Sequence, residues 1–144
     1  MNPTSPRPYR IDGWEYGGYK YGREQDLKID QEIYQDALTI YIKVFMHTPV
    51  TWIHYDQLIR ASSSIAANIA EGIGRKRDDA PTTKLGYYQN FLLIARGSVF
   101  ETFAWLDIGL YDKTFEKDTV TDIQDLLGRL NTQLETELKP KEPK

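Results

Sequence analysis

The sequence predicts an all-α protein, an antiparallel up-and-down four-helix bundle preceded by an N-terminal arm that contains a β-hairpin. Four segments carry apolar residues at alternating spacings of three and four, which is the period of a helix with one buried face. The clearest is 57–75, where Leu58, Ile65 and Ile69 share one face. Its far side carries serine and alanine where a surface helix would carry Lys and Glu. This segment is therefore predicted to be the central helix.

Three regions are expected along the chain: an arm over residues 1–24, the bundle over residues 25–139 and a disordered tail over residues 140–144. In the arm, Gly17-Gly18 suits a two-residue hairpin turn because glycine tolerates positive φ. Pairing outward from this turn places four aromatic side chains on one face: Trp14, Tyr16, Tyr19 and Tyr21. An isolated hairpin is marginally stable, so this face is expected to dock on the bundle or on a neighbouring subunit. Disorder and a base-stacking or ligand platform are the alternatives.

The first helix is predicted from about Asp26 to Met46, ending where Pro49 pushes the preceding residue out of the α region. The central helix is expected to end within residues 72–77, because glycine favours helix termination. A polar linker over residues 78–83 follows it.

The third helix is predicted from about Thr83 to Tyr111, and it carries two apolar stripes. The main stripe, expected in the core, comprises Tyr88, Leu92, Ala95, Val99, Phe103, Leu106 and Leu110. The second stripe, on nearly the opposite side, comprises Leu93, Phe100, Ala104 and Tyr111. One bundle core covers one stripe, so the second stripe is expected to form an interface between copies of the chain.

The fourth helix is predicted to begin near Asp118 or Thr119, either of which is a good N-cap. Five apolar residues then repeat at spacings of three and four, the pattern of a bundle seam. They are Val120, Ile123, Leu127, Leu130 and Leu134.

Two strings, RASSSIAANIAEGIGR at 60–75 and FLLIARGSVFET at 91–102, resemble the 23S rRNA intervening-sequence protein family. The resemblance covers roughly residues 27–138. It implies a four-helix bundle, ring-like homo-oligomers with five copies in some members, and no established enzymatic activity. A more distant relation links such bundles to accessory proteins of diversity-generating retroelements, which partner a reverse transcriptase. The N-terminal arm and the inserted KRDDAPTTK at 76–84 depart from the family pattern.

Polar residues of the second and third helices are predicted to form a network between them. They are Arg60, Ser64, Asn68, Glu71, Arg75, Arg96, Ser98 and Glu101. A buried structural network is the first interpretation, because arginine and glutamate at helical spacing can pair and fix the helix register. Capture of an anion or phosphate by the arginines is the alternative.

Several classes of site are not expected. The chain has no cysteine, so it has no disulfide framework or thiolate site. Neither His47 nor His54 follows a glutamate by three residues, so the di-iron pattern of helical bundles is missing and no metal or cofactor is predicted. The N-terminus lacks the apolar segment of a secretory signal. Charges interrupt the longest apolar run, so we expect no membrane span and a cytoplasmic location.

The net charge of −3 gives no global nucleic-acid signature, but Arg75, Lys76 and Arg77 form a local basic cluster. The expected function is therefore a non-enzymatic oligomeric scaffold or accessory factor that engages RNA or a nucleoprotein partner such as a reverse transcriptase. A pentamer is favoured by the resemblance. The alternative is a small-molecule-binding or purely structural oligomer without nucleic-acid contact.

Overall fold

The computed structural model describes residue 29, residues 31–78 and residues 81–139, with side chains at all of these except 77, 78 and 81–85. It contains four helices, and no strand occurs within these ranges. The helices are α1 (Glu32–His47), α2 (Tyr55–Asp78), α3 (Pro81–Tyr111) and α4 (Lys117–Leu138). The all-α prediction is confirmed. The predicted hairpin and the predicted tail lie outside the described residues.

Each helix packs against two others. α1 contacts α2 and α4, and α3 contacts the same two helices, with the α2–α3 contact the most extensive. The core between them is apolar, and its largest fully buried side chains come from all four helices: Ile40, Leu58, Ile65, Ile69, Leu92, Leu106, Ile123, Leu127, Leu130 and Leu134. The seam predicted for the fourth helix is buried along its whole length.

α1 begins at Glu32 and not near Asp26, so the predicted start is wrong. Gln31 has an extended backbone with φ −63° and ψ 134°, which places it before the first helical turn. The Gln35 side chain donates to the Ile29 carbonyl at 2.9 Å and so holds Ile29 against the helix. At its other end the helix extends to His47, one residue past the predicted Met46. The buried Thr48 hydroxyl then donates to the Val44 carbonyl.

α2 does not end at its glycines, and this prediction is also wrong. The helix continues through Gly72 to Asp78. A Cβ on Gly72 would lie 3.1 Å from the Cβ of Phe91 and 3.3 Å from the Tyr88 carbonyl oxygen. The glycine therefore permits close approach of α3 and does not terminate the helix.

The buried stripe of α3 differs from the prediction at its C-terminal half. It follows spacings of four and three without a break: Tyr88, Leu92, Ala95, Val99, Thr102, Leu106 and Gly109. Phe103, which was predicted to lie in the core, is 38% exposed, and Leu110 is half-buried. Thr102 is fully buried because its hydroxyl donates to the Ser98 carbonyl at 2.7 Å, which satisfies its polar group within the helix.

Within the described ranges, no helix is both long and apolar enough to cross a membrane.

Candidate functional site

Part of the predicted polar network joins α2 to α3. The hydroxyls of Ser64 and Ser98 form a hydrogen bond between the two helices. Asn68 donates from Nδ2 to the Ser64 carbonyl at 2.8 Å, within α2. These small polar side chains lie where the two helices approach closely, so they position the helices against each other.

The charged members of the predicted network lie apart from this contact. Glu71 and Arg75 form an ion pair at 3.3 Å, one turn apart on α2, and each side chain is 52% exposed. This pair is therefore not buried, contrary to the prediction. Arg60 is also exposed.

The charged residues of α3 contact side chains outside the predicted network. Arg96 pairs with Glu135 of α4 at 3.7 Å. Glu101 accepts a hydrogen bond from the indole Nε1 of Trp105 at 3.1 Å. The eight predicted residues therefore form several separate contacts instead of one connected network.

A basic and aromatic surface lies where α2 ends and α3 begins. The Arg75 guanidinium is 5.9 Å from the ring centroid of Tyr87, and the Lys76 ammonium is 4.4 Å from that of Tyr88. The side chain of Tyr87 is half-exposed. Arg77, the third predicted nucleic-acid contact, has its side chain outside the described part of the chain. An exposed arginine and a partly buried lysine beside a half-exposed aromatic ring are suited to phosphates and bases.

Tyr88 fixes one edge of this surface to α4. Its side chain is buried, and its hydroxyl donates to a carboxylate oxygen of Glu137 at 2.6 Å. Burial, and then the hydrogen bond and the negative charge of Glu137, raise the pKa of Tyr88 well above its usual range. The ring beneath Lys76 is therefore held neutral and in place.

The outward face of α3 is apolar and exposed, and it includes the four residues predicted to contact other copies. Leu93 is 49% exposed, Phe100 61% and Tyr111 89%, while Ala104 is also exposed. Further exposed apolar side chains flank them: Ile94, Phe103 and Ile108. A face of this size on one helix is typical of an interaction surface.

A cluster that the sequence did not predict joins the α1–α2 connection to the α3–α4 connection. Trp52 is buried in the α1–α2 connection and packs edge-to-face on Phe115 with centroids 5.3 Å apart. The two carboxylate oxygens of Asp112 accept hydrogen bonds from the Trp52 indole at 2.8 Å and from the Thr114 backbone amide at 3.0 Å. Hydrogen bonding by the Thr114 side chain, and then by the Trp52 indole, lowers the pKa of Asp112, and the Thr114 backbone amide adds a smaller effect in the same direction. The sequence feature that could have indicated this cluster is the abundance of aromatic residues near Pro49 and Gly109.

A polar groove lies between α1 and α4. Its volume is about 450 Å³, and its lining residues are Glu32, Asp36, Thr39, Leu126, Arg129 and Gln133. The Oε1 atom of Gln133 is buried and has no hydrogen-bond partner among the described residues. Among all the residues that the structure describes, no group of three or more His, Cys, Asp or Glu side chains is placed to hold a metal ion.

A family model described as "23S rRNA-intervening sequence protein" matches residues 25–136. Among solved structures, the chain is similar to a protein of unknown function from the S23 ribosomal protein family of Bacteroides thetaiotaomicron, with 18% identity and a TM-score of 0.64. That similarity covers 75% of this chain and 99% of the other, and it supports the fold. No curated protein matches the chain significantly.

Proposed function

The chain belongs to the 23S rRNA-intervening sequence protein family, and from its surface we propose that it is a non-catalytic, self-associating helical scaffold that engages RNA. The proposed engagement of RNA is supported by the surface that Arg75, Lys76 and the half-exposed ring of Tyr87 form. Cations supply attraction for phosphates, and an exposed ring supplies a stacking face for an unpaired base.

The proposed architecture is an antiparallel up-and-down bundle. Two contacts support it. Lys43, near the end of α1, pairs with Asp122, near the start of α4, at 3.1 Å. Tyr88, near the start of α3, bonds Glu137, near the end of α4. Short connections between successive helices fit the same arrangement.

Self-association is supported by the exposed apolar face of α3. Repetition of the basic surface in each copy would multiply weak RNA contacts, because linked sites bind with a high effective concentration. The resemblance implies five copies, and light scattering after size exclusion measures the number directly. A monomer at micromolar concentration would contradict this part of the proposal.

The test of RNA engagement is recovery of the native complex, followed by sequencing of bound RNA and identification of bound proteins. RNA affinity should fall roughly 20- to 40-fold between 50 and 200 mM salt if three cations contact phosphates. Substitution of Arg75, Lys76 and Arg77 by alanine should weaken binding without changing the assembly. The matched control replaces Lys113, Lys117 and Arg129, which removes the same charge elsewhere and should leave affinity nearly unchanged.

Three outcomes would redirect the proposal. Equal losses in the two triple variants would show that binding depends on net charge and not on this surface. Recovery of a reverse transcriptase or another nucleic-acid-processing protein without RNA would assign the surface to a protein partner. Recovery of neither RNA nor a defined protein would contradict the proposed engagement altogether.

The groove between α1 and α4 favours a second candidate function, which is binding of a small polar molecule. The unpaired Oε1 of Gln133 would accept a hydrogen bond there, and Glu32, Asp36 and Arg129 would add charge recognition. A thermal-shift screen of polar metabolites tests it. A ligand that stabilises the protein but not Gln133→Leu would support this function.

A further inference from the structure

The groove between α1 and α4 has two walls that differ in charge. The α1 wall presents the carboxylates of Glu32 and Asp36. The α4 wall presents the guanidinium of Arg129 and the amide of Gln133. In each wall the two residues are four positions apart, so they lie one turn apart on the same face of their helix. The groove is therefore acidic on the α1 side and carries a positive charge on the α4 side.

The ion pair of Lys43 and Asp122 at 3.1 Å sets the alignment of the two walls. Asp36 lies seven residues before Lys43 on α1, and Arg129 lies seven residues after Asp122 on α4. Equal steps along the two helices therefore place Asp36 opposite Arg129 in the proposed antiparallel bundle.

The opposite charges of the two walls do not meet. Neither Asp36 nor Arg129 forms an ion pair or a side-chain hydrogen bond with any described residue, and the same is true of Glu32. The groove between them has a volume of about 450 Å³. A carboxylate and a guanidinium on opposite sides of an open groove can both be paired by one molecule that carries two opposite charges.

We propose that the groove binds a small amino acid whose ammonium and carboxylate groups are several bonds apart. This inference rests on the second candidate function and specifies the class of ligand. The ammonium group donates to the carboxylates of Glu32 and Asp36, which lie about 6 Å apart along the axis of α1. The ligand carboxylate accepts two hydrogen bonds from Arg129, because the planar guanidinium matches its geometry. The Gln133 amide oxygen, which has no partner among the described residues, is a further acceptor for the ammonium group.

The distance between the walls determines how far apart the two charges of the ligand must be. Asp36 and Arg129 are too far apart to form an ion pair, so a ligand with adjacent charges reaches one wall only. γ-Aminobutyrate has three carbon atoms between its charged groups and the carboxyl carbon of glycine is separated from nitrogen by one. γ-Aminobutyrate should therefore bind about tenfold or more tightly than glycine, because it contacts both walls.

Equilibrium dialysis of the full chain with labelled γ-aminobutyrate tests the class of ligand, and butylamine and butyrate are the matched competitors. Each competitor keeps the carbon chain and one of the two charged groups. The zwitterion should bind about tenfold or more tightly than either, because each competitor lacks one charge-assisted contact. General attraction to an acidic protein does not explain its binding, since it carries no net charge. Equal affinity for butylamine or for butyrate would overturn the proposal.

Variants assign the two contacts to the two walls. Arg129→Gln should weaken γ-aminobutyrate binding about tenfold or more and remove its advantage over butylamine. Glu32→Gln combined with Asp36→Asn should weaken it by a similar factor and remove its advantage over butyrate. Lys117→Gln and Asp125→Asn are the controls, because they remove charges of the same signs from exposed positions of α4 outside the groove. Losses in these controls equal to those in the groove variants would overturn the proposed contacts.

Thermal unfolding checks that the groove variants remain folded. The altered residues have no ion-pair partner among the described residues, so the melting temperatures should stay close to that of the natural protein. Loss of γ-aminobutyrate binding without a fall in melting temperature would support the proposed contacts.

The remaining outcomes separate this inference from the second candidate function. A stabilising compound that lacks either charged group, and that Gln133→Leu no longer binds, would overturn the zwitterion and leave the second candidate function standing. Absence of binding by γ-aminobutyrate and by every other polar compound would overturn both. Glycine that binds as tightly as γ-aminobutyrate would overturn the contact of one ligand with both walls.

Discussion

Trp52 donates a 2.8 Å hydrogen bond from its indole Nε1 to the carboxylate of Asp112, which ties the α1–α2 connection to the end of α3. The ring of Trp52 packs on Phe115 in the α3–α4 connection. Lys113, with φ 67°, takes the left-handed conformation that turns the chain from α3 toward Phe115. The α1–α2 and α3–α4 connections therefore pack together in one cluster at the end of α3.

The pH dependence of stability should report the Asp112 carboxylate. Its pKa is lowered in the folded protein, so it contributes stability above its unfolded value of about 3.8, and that contribution is lost as pH falls toward the lower folded value. Asp112→Asn should therefore show a smaller fall in melting temperature between pH 5 and pH 2.5 than the natural protein. Asp125→Asn, which removes an exposed carboxylate of α4, should follow the natural profile. Identical profiles for all three proteins would contradict the role of Asp112.

Gly109 should tolerate no side chain. A Cβ at this position would overlap the ring of Phe115 and lie 3.4 Å from the ring of Trp52. Gly109→Ala is expected to lower the free energy of unfolding by about 1–3 kcal/mol, because the cluster must shift to admit the methyl group. Gly128→Ala is the control, since a Cβ there would have no atom within 4 Å apart from its chain neighbours and the backbone of its own helix. It should raise stability by about 0.5–1 kcal/mol through helix propensity. Urea unfolding measures both, and equal effects would disprove the overlap.

Glu71→Ala should have little effect on stability. The ion pair with Arg75 is half-exposed, and surface pairs contribute about 0–1 kcal/mol. The free energy of unfolding should therefore change by less than about 1 kcal/mol. RNA affinity should instead rise, because Arg75 loses its carboxylate partner and a nearby negative charge is removed. A large loss of stability with unchanged RNA binding would favour a structural role for Glu71.

The helices themselves could be predicted because their apolar periodicity is local in sequence. The burial of Thr102 in place of Phe103 could not be predicted, since the two residues are neighbours on the helix and the more apolar one is the expected core residue. Strict four-and-three spacing in α3 keeps Thr102 in the core, and its hydroxyl bonds within the helix at little cost.

The burial of polar side chains was equally hard to predict. Glu71 and Arg75 lie one turn apart on α2, so their pairing follows from the sequence. Their exposure to solvent depends on how α2 is rotated about its axis against α3, which the sequence does not show. The Trp52–Asp112 bond joins residues 60 positions apart, and no local pattern pairs them. Contacts between connections depend on where the helices end, which is the least certain part of a sequence-based prediction.

Tyr88→Phe should destabilise the protein and alter its behaviour in alkali. The substitution removes the hydroxyl that bonds Glu137 while keeping the buried ring, so the free energy of unfolding should fall by about 1–2 kcal/mol at neutral pH. The folded pKa of Tyr88 is raised, so the unfolded chain ionises first, and stability falls as pH rises above about 10. The variant should lose this component in thermal unfolding between pH 9 and pH 11. Tyr87→Phe removes the hydroxyl of the neighbouring half-exposed ring and should keep the alkaline fall. Parallel pH profiles for Tyr88→Phe and the natural protein would show that this hydroxyl does not stabilise the α3–α4 contact.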